Sequence, residues 1–121
     1  MKETVAILGA SKQPERYAYR AFKMLNEYGH TPVPVTPKFS ELEGVAAYAS
    51  LSDLKMPVDT LTMYVGPDLS SKLSAEILRL KPKRVIFNPG SENPELANQL
   101  RAQGVEVVEG CTLVMLRTNQ F

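Results

Sequence analysis

Val5-Ala-Ile-Leu-Gly-Ala-Ser-Lys-Gln-Pro14 is the stretch on which the reading of this chain turns. Val5 to Leu8 is an unbroken apolar run, as expected of a strand buried on both faces, and it leads into Gly9, Ala10 and Ser11, where the backbone must turn before a helix begins. A strand, a turn of small residues and a helix N-terminus gather unpaired N–H groups and the positive end of a helix dipole at one point, which suits phosphate. The stretch is not the dinucleotide fingerprint, because Ser11 and Pro14 stand where G-x-G-x-x-G requires glycine. It reads either as half of a nucleotide site or as an ordinary strand-to-helix turn of a parallel sheet. The rest of the chain has to separate the two.

Ala18, Ala21, Phe22 and Leu25 follow at helical spacing, with Arg20, Lys23, Asn26 and Glu27 on the other face, and Gly29 is a suitable stop. His30 falls in the connection to Val33-Pro-Val-Thr-Pro37, a strand whose prolines suit it to a sheet edge, and is expected at the surface. Val45 to Tyr48 reads as a brief edge strand, with a helical turn near Leu51 to Leu54. Leu61 to Val65 is a second core strand, ended by Gly66-Pro67-Asp68, and Leu69, Leu73, Ile77 and Leu80 are expected as one inward stripe of one helix. Arg84 to Asn88 is a third, followed by Asn93 as N-cap and Pro94 at the first helical position. Leu96 and Leu100 face inward, Gly104 closes that helix, Val105 to Val108 is the last strand, and Cys111 to Leu116 is a short closing helix.

Strands alternating with helices specify right-handed crossovers, hence an α/β Rossmann-like, doubly wound three-layer sandwich of about five mostly parallel strands. At 121 residues the chain is expected to be one domain, 1–121. A net charge of +1 gives no general attraction to nucleic acid or membrane, and the absence of an apolar or Arg-rich leader points to the cytoplasm. Cys111 is the one cysteine and His30 the one histidine, which leaves no disulfide framework and would require any metal site to be built around these two, so none is expected.

Doubly wound sheets bind ligands beyond the carboxyl ends of their strands. That edge should gather Gly9-Ala10-Ser11, Thr36-Pro37-Lys38, Val65-Gly66-Pro67, Asn88-Pro89-Gly90 and Gly110-Cys111. A cofactor with a free ribose is usually held by a carboxylate just after the second strand; Lys38 stands there instead, and a cation favours an extra ribose phosphate, as in coenzyme A or NADP. Arg16 is a second cation, electrostatically awkward at a helix start unless an anion is present.

Gly9-Ala-Ser-x-x-Pro-x-Arg16, Pro34-Val-Thr-Pro-Lys38, Val58-Asp59, Asn88-Pro-Gly-x-Glu92 and Cys111-Thr-Leu-Val-Met-Leu-Arg117 together resemble the small stand-alone CoA-binding proteins of the CoA_binding_2 type. These proteins, which include the bacterial YccU group, are related in fold to the CoA-binding domain of the succinyl-CoA synthetase α subunit. The resemblance covers nearly the whole chain. It implies CoA or acyl-CoA lying across the carboxyl edge of the sheet. Gly9, Ala10 and Ser11 would then approach the phosphates, Pro37 and Lys38 the nucleotide portion, and Val65, Gly66 and Pro67 the adenine and pantetheine side, with Arg16 and Asn88 as further contacts. The synthetase's phosphorylated histidine has no counterpart, since His30 lies in a different kind of segment.

The reading is therefore of a non-catalytic CoA- or acyl-CoA-binding protein with a small-molecule nucleotide as partner, compatible also with a homodimer or a partner protein. An NADP- or other nucleotide-dependent small enzyme would draw its general acid from Tyr17, Tyr64, Glu92 or Cys111. An interaction subunit with a vestigial nucleotide site would dock through Tyr17, Tyr19, Phe39 or Phe121. On this reading Gly9→Val should lower affinity more than stability, and Cys111 should open on the ligand edge, either as the buried, inert residue that an isolated cysteine usually is or, on the sharper alternative, close enough to the pantetheine arm for a mixed disulfide with CoA.

Overall fold

The computed structural model describes residues 2–121. β1 (Thr4–Leu8) lies between β2 (Thr31–Val35) and β5 (Thr60–Met63), followed by β6 (Arg84–Phe87) and β7 (Glu106–Glu109), in the order β2-β1-β5-β6-β7 with every pairing parallel. This is the expected Rossmann-like sheet. Side chains alternate across it. Val5 and Ile7 pack with Ala18, Phe22 and Leu25 of α1 (Tyr17–Glu27) and with Leu116 of α5 (Thr112–Arg117). Ala6 and Leu8 point the other way, into a core shared with Ile77 of α3 (Ser74–Leu80) and with Leu96 and Leu100 of α4 (Pro94–Ala102). Helices on both faces make the three layers.

β2 is an edge strand, as its prolines require: one side pairs with β1, and the other is bridged by Tyr48, whose amide donates to the Pro34 carbonyl at 3.0 Å. The Val45 to Tyr48 segment forms more than an edge strand. β3 (Glu41–Leu42) and β4 (Val45–Ala46) make a small hairpin turned by Glu43 and Gly44, both at positive φ. Glu-Gly is a weaker hairpin signal than Asn-Gly, so the turn was not evident from the sequence.

Two further boundaries differ from expectation. The stripe from Leu69 to Leu80 is split between α2 (Pro67–Lys72) and α3, which meet at Leu73. Ser70, not Leu69, turns inward, because its hydroxyl donates to the Pro67 carbonyl at 3.2 Å and accepts from Asn93 Nδ2 at 2.8 Å. That anchor rotates Leu69 out of the core, leaving it 46% exposed. Val105 stays outside β7, since its amide bonds the Leu100 carbonyl and closes α4. Asn93 is the N-cap predicted for α4, its Oδ1 accepting from the Leu96 amide at 3.1 Å.

At the opposite, amino edge of the sheet, His30 is half-buried rather than a surface residue. Its Nδ1 accepts from the Glu3 amide at 3.0 Å and its ring lies 4.9 Å from that of Phe121. Burial holds its pKa below the ordinary 6.5, and the charges of Arg84 and Lys2 act in the same direction against the opposing pull of Glu3. A histidine whose folded pKa is depressed contributes stability that is complete above 6.5 and is lost as pH falls from there toward the folded value. We therefore expect the urea midpoint to drop as pH is lowered through this window. His30→Asn, which can accept the same amide bond but does not titrate, should flatten that step. An unchanged pH profile in the variant would place the loss elsewhere, Asp59 included.

Candidate functional site

The chain leaves β1 for β2 on one side and later fills β5 on the other, so the strand order reverses between β1 and β5. At that point the carboxyl ends of neighbouring strands diverge and a crevice opens. Gly9 sits in it at φ +90°, where a Cβ would lie 2.9 Å from Val65 Cγ1 and 3.0 Å from the Tyr64 carbonyl oxygen. The turn is pinned from both sides. Gly9 and Ala10 donate to the Val35 carbonyl at 3.0 and 3.4 Å, and the Tyr64 amide donates to the Leu8 carbonyl at 2.9 Å.

Beyond the turn lies a cleft of about 740 Å³. One wall is the β1–α1 turn with Arg16 and Tyr17, and a second is the end of β2 from Thr36 to Phe39. The third is apolar, formed by Leu51, Val65, Leu69 and Leu73, and ends at Glu76.

The first two walls are cationic. Lys12, Arg16 and Lys38 all line the cleft, and none of them is in an ion pair among the described residues. Arg16 Nε is oriented by Gln13 Oε1 at 3.1 Å, Lys12 Nζ lies 4.9 Å from the centre of the Phe39 ring, and the Lys38 amide donates to Thr36 Oγ1 at 3.3 Å. α1 starts with no side-chain cap and no acid in its first turn, so its N–H groups and dipole are left uncompensated. Ser11 Oγ is engaged by the Gln13 amide at 3.1 Å, whereas the amides of Ser11 and Lys12 carry no hydrogen bond among the described residues. Chemically this is an anion cradle.

Of the residues singled out in the sequence, Gly9, Ala10, Ser11, Arg16, Pro37, Lys38 and Val65 line the cleft, and Gly66, Pro67 and Asn88 lie outside its lining. Gly66 caps α2 and Pro67 opens it. Asn88 is buried and fully engaged: Nδ2 donates to Thr62 Oγ1 at 2.7 Å and to the Met63 carbonyl at 2.9 Å, while Oδ1 accepts from the Thr112 amide at 2.9 Å. Cys111 precedes α5 as its N-cap, half-buried, and is also absent from the lining. Sequence reasoning missed Lys12, Ala49 to Leu51, Leu69, Leu73 and Glu76 as wall residues. Lys12 could have been found, because it sits inside the glycine turn, but nothing local marks the others.

Tyr64 lines the cleft while its hydroxyl is buried near Thr62 and Thr112, without hydrogen-bond geometry to either. Burial pushes its pKa up to about 12, and the nearby Cys111 thiol adds to that, so the phenol stays neutral. Of the four candidate general acids only Tyr17 and Tyr64 reach the cleft; Glu92 is exposed outside it, accepting from the Gly90 amide at 2.9 Å.

A family model described as CoA_binding_2, CoA binding domain, matches residues 3–117. An ADP-forming acetate–CoA ligase of Methanocaldococcus jannaschii is 33% identical over 103 residues, which are 82% of this chain and 15% of that protein. A crystal structure of an uncharacterized protein is 42% identical with a TM-score of 0.90, covering 100% of this chain and 99% of that one. The cell-free ID.343 structure from Thermus thermophilus is 37% identical with a TM-score of 0.90, covering 99% and 91%.

The geometry at Gly9 reverses the expectation that its replacement would act mainly on affinity. A branched side chain there meets the backbone of Tyr64 and the side chain of Val65, and the positive φ adds strain. Gly9→Val is expected to destabilise the fold by about 2–5 kcal/mol, combining left-handed strain with overpacking. Urea unfolding in the absence of ligand measures it, and a wild-type midpoint would show that the turn can open without cost.

Proposed function

The chain belongs to the CoA-binding domain family, and on that premise we propose that it holds coenzyme A, or an acyl-CoA, in the cleft between the ends of β1 and β5 without transforming it. The observation that carries the reading is the set of three unpaired cations, Lys12, Arg16 and Lys38, around an uncapped helix start at the switch point of the sheet. A ligand with phosphates at two separated places satisfies such a set better than one with a single anionic end. The diphosphate lies over the amides of Ser11 and Lys12 and the start of α1, and Lys38, at the end of β2, meets the ribose 3′-phosphate.

The binding reading is favoured over an enzymatic one by the state of the proton donors. Of the four candidates, Tyr64 with a pKa near 12 is a poor general acid at neutral pH, Tyr17 reaches the cleft but is 65% exposed to water, and Cys111 and Glu92 stand away from it. Among the described residues no three His, Cys, Asp or Glu side chains come together to hold a metal ion, and no helix is long and apolar enough to cross a membrane. The ligase activity of the archaeal relative belongs to a protein of which this chain matches only 15%, and is not carried over. The whole chain, 1–121, acts as one binding domain for a small nucleotide ligand.

Denaturing the purified protein and weighing what it releases identifies a resident ligand directly. The sharper test is calorimetry of CoA and dephospho-CoA on wild type and Lys38→Ala. Lys38 is exposed, so solvent screening keeps its charge-assisted contact near the lower end of the usual range, about 1.5 kcal/mol. The variant should lose about tenfold in affinity for CoA and much less for dephospho-CoA, with the difference shrinking as salt is raised. Equal losses for both ligands would separate Lys38 from the ribose phosphate.

A further inference from the structure

The apolar wall of the cleft holds two features that an anion site leaves unexplained. Leu69, rotated outward by the Ser70 anchor, is one of the few large hydrophobic side chains in the open, at 46% exposure. It stands in the cleft with Leu51, Val65 and Leu73. Glu76 closes that wall as the only carboxylate in the lining, half-buried, with no hydrogen bond or ion pair among the described residues. A carboxylate without a partner in the lining keeps its acceptor oxygens free, and it would repel any ligand that presented only anionic groups. Its place in the first turn of α3 suits a negative charge on dipole grounds, but the same benefit would follow with the side chain turned to open solvent.

We propose that Glu76 and its apolar neighbours form a base-reading subsite: the leucines cover the faces of a flat heterocycle, and the Glu76 carboxylate accepts a hydrogen bond from an exocyclic amine on its rim. This rests on the nucleotide reading above and deepens it by naming the group that selects the base. The cleft is then matched to its ligand at both ends. Cations and free amides take the phosphates, and the single anion takes the exocyclic amine, the one N–H donor group on the rim of adenine. An aminopurine fits both requirements; a purine without the amine leaves Glu76 unpaired in a site from which water has been displaced.

The experiment compares CoA with the CoA analogue whose adenine is replaced by purine lacking the 6-amino group. Both are titrated calorimetrically into wild type, Glu76→Ala and Glu76→Gln. Wild type should bind CoA about tenfold more tightly than the analogue. Glu76→Ala should bind the two alike, and the analogue no less tightly than wild type does because the unpaired carboxylate is gone, while Glu76→Gln, which keeps a carbonyl acceptor without the charge, should show an intermediate preference. Unfolding midpoints establish that the variants remain folded at the titration temperature, and the Gln variant preserves the test if Ala weakens α3. Retention of the tenfold preference by Glu76→Ala would mean that another group reads the amine, and an absence of preference in wild type would mean that nothing does; either overturns the assignment while CoA binding itself stands. Failure of wild type to bind CoA at all overturns the nucleotide reading, and this assignment with it.

Discussion

Everything in this molecule is arranged around the place where β1 and β5 part. The backbone of Gly9 passes so close to Tyr64 and Val65 that no side chain fits between them, and its positive φ turns the chain away from the sheet at once. Val35 binds the turn from the β2 side, and Leu8 receives the Tyr64 amide from the β5 side. Three strand ends are thereby held at fixed spacing, and the start of α1 is aimed over the crevice between them. The glycine is first a condition of the fold and only through that a condition of the site.

That geometry assigns the chemistry. The amides of Gly9 and Ala10 are consumed by Val35, so the donors left free are those of the next residues along, Ser11 and Lys12, and of the uncapped first turn of α1. Three cations surround this point, none of them in an ion pair among the described residues. Uncompensated like charge is unfavourable in a free protein and is relieved by an anionic ligand. The opposite wall is built by a different device: the polar contact between Asn93 and Ser70 rotates α2, and the rotation brings Leu69 to the mouth of the cleft.

A buried polar network holds the other side of the site rigid. Thr62 and Thr112 share a hydrogen bond of 2.8 Å, Asn88 reaches both strand β5 and the first amide of α5, and all three residues are buried. Satisfied polar groups in a low-dielectric interior fix one arrangement because any shift leaves a donor or acceptor without a partner. Asn88, read from the sequence as a ligand contact because it follows a strand, thus ties β6 to β5 and α5. Tyr64 stands beside this network with its hydroxyl unpaired, and burial keeps it neutral.

The sequence by itself determined the alternation of strands and helices, the edge position of the proline strand, the cap at Asn93 and the family resemblance. Each of these is written locally: in the run Val5 to Leu8, in the spacing of Ala18, Phe22 and Leu25, in Pro32 and Pro34, and in the order of short motifs. Lys38 and Arg16 were legible for the same reason, since a cation directly after a strand or at a helix start is visible without knowing its neighbours. Only the tertiary structure decided which of five strand-end turns share a cleft. Strand order brings the turns after β1, β2 and β5 together and sends those after β6 and β7 elsewhere, so Asn88 and Cys111 fall outside the lining, whereas Gly66 and Pro67 follow β5 but are taken up in capping and opening α2. Leu69 and Glu76 were illegible because their orientation depends on a kink at Leu73 and an anchor from Asn93, residues whose effect is exerted across space. Periodicity reports which face of a helix is apolar; the rotation of that helix against the sheet is set by contacts distant in sequence.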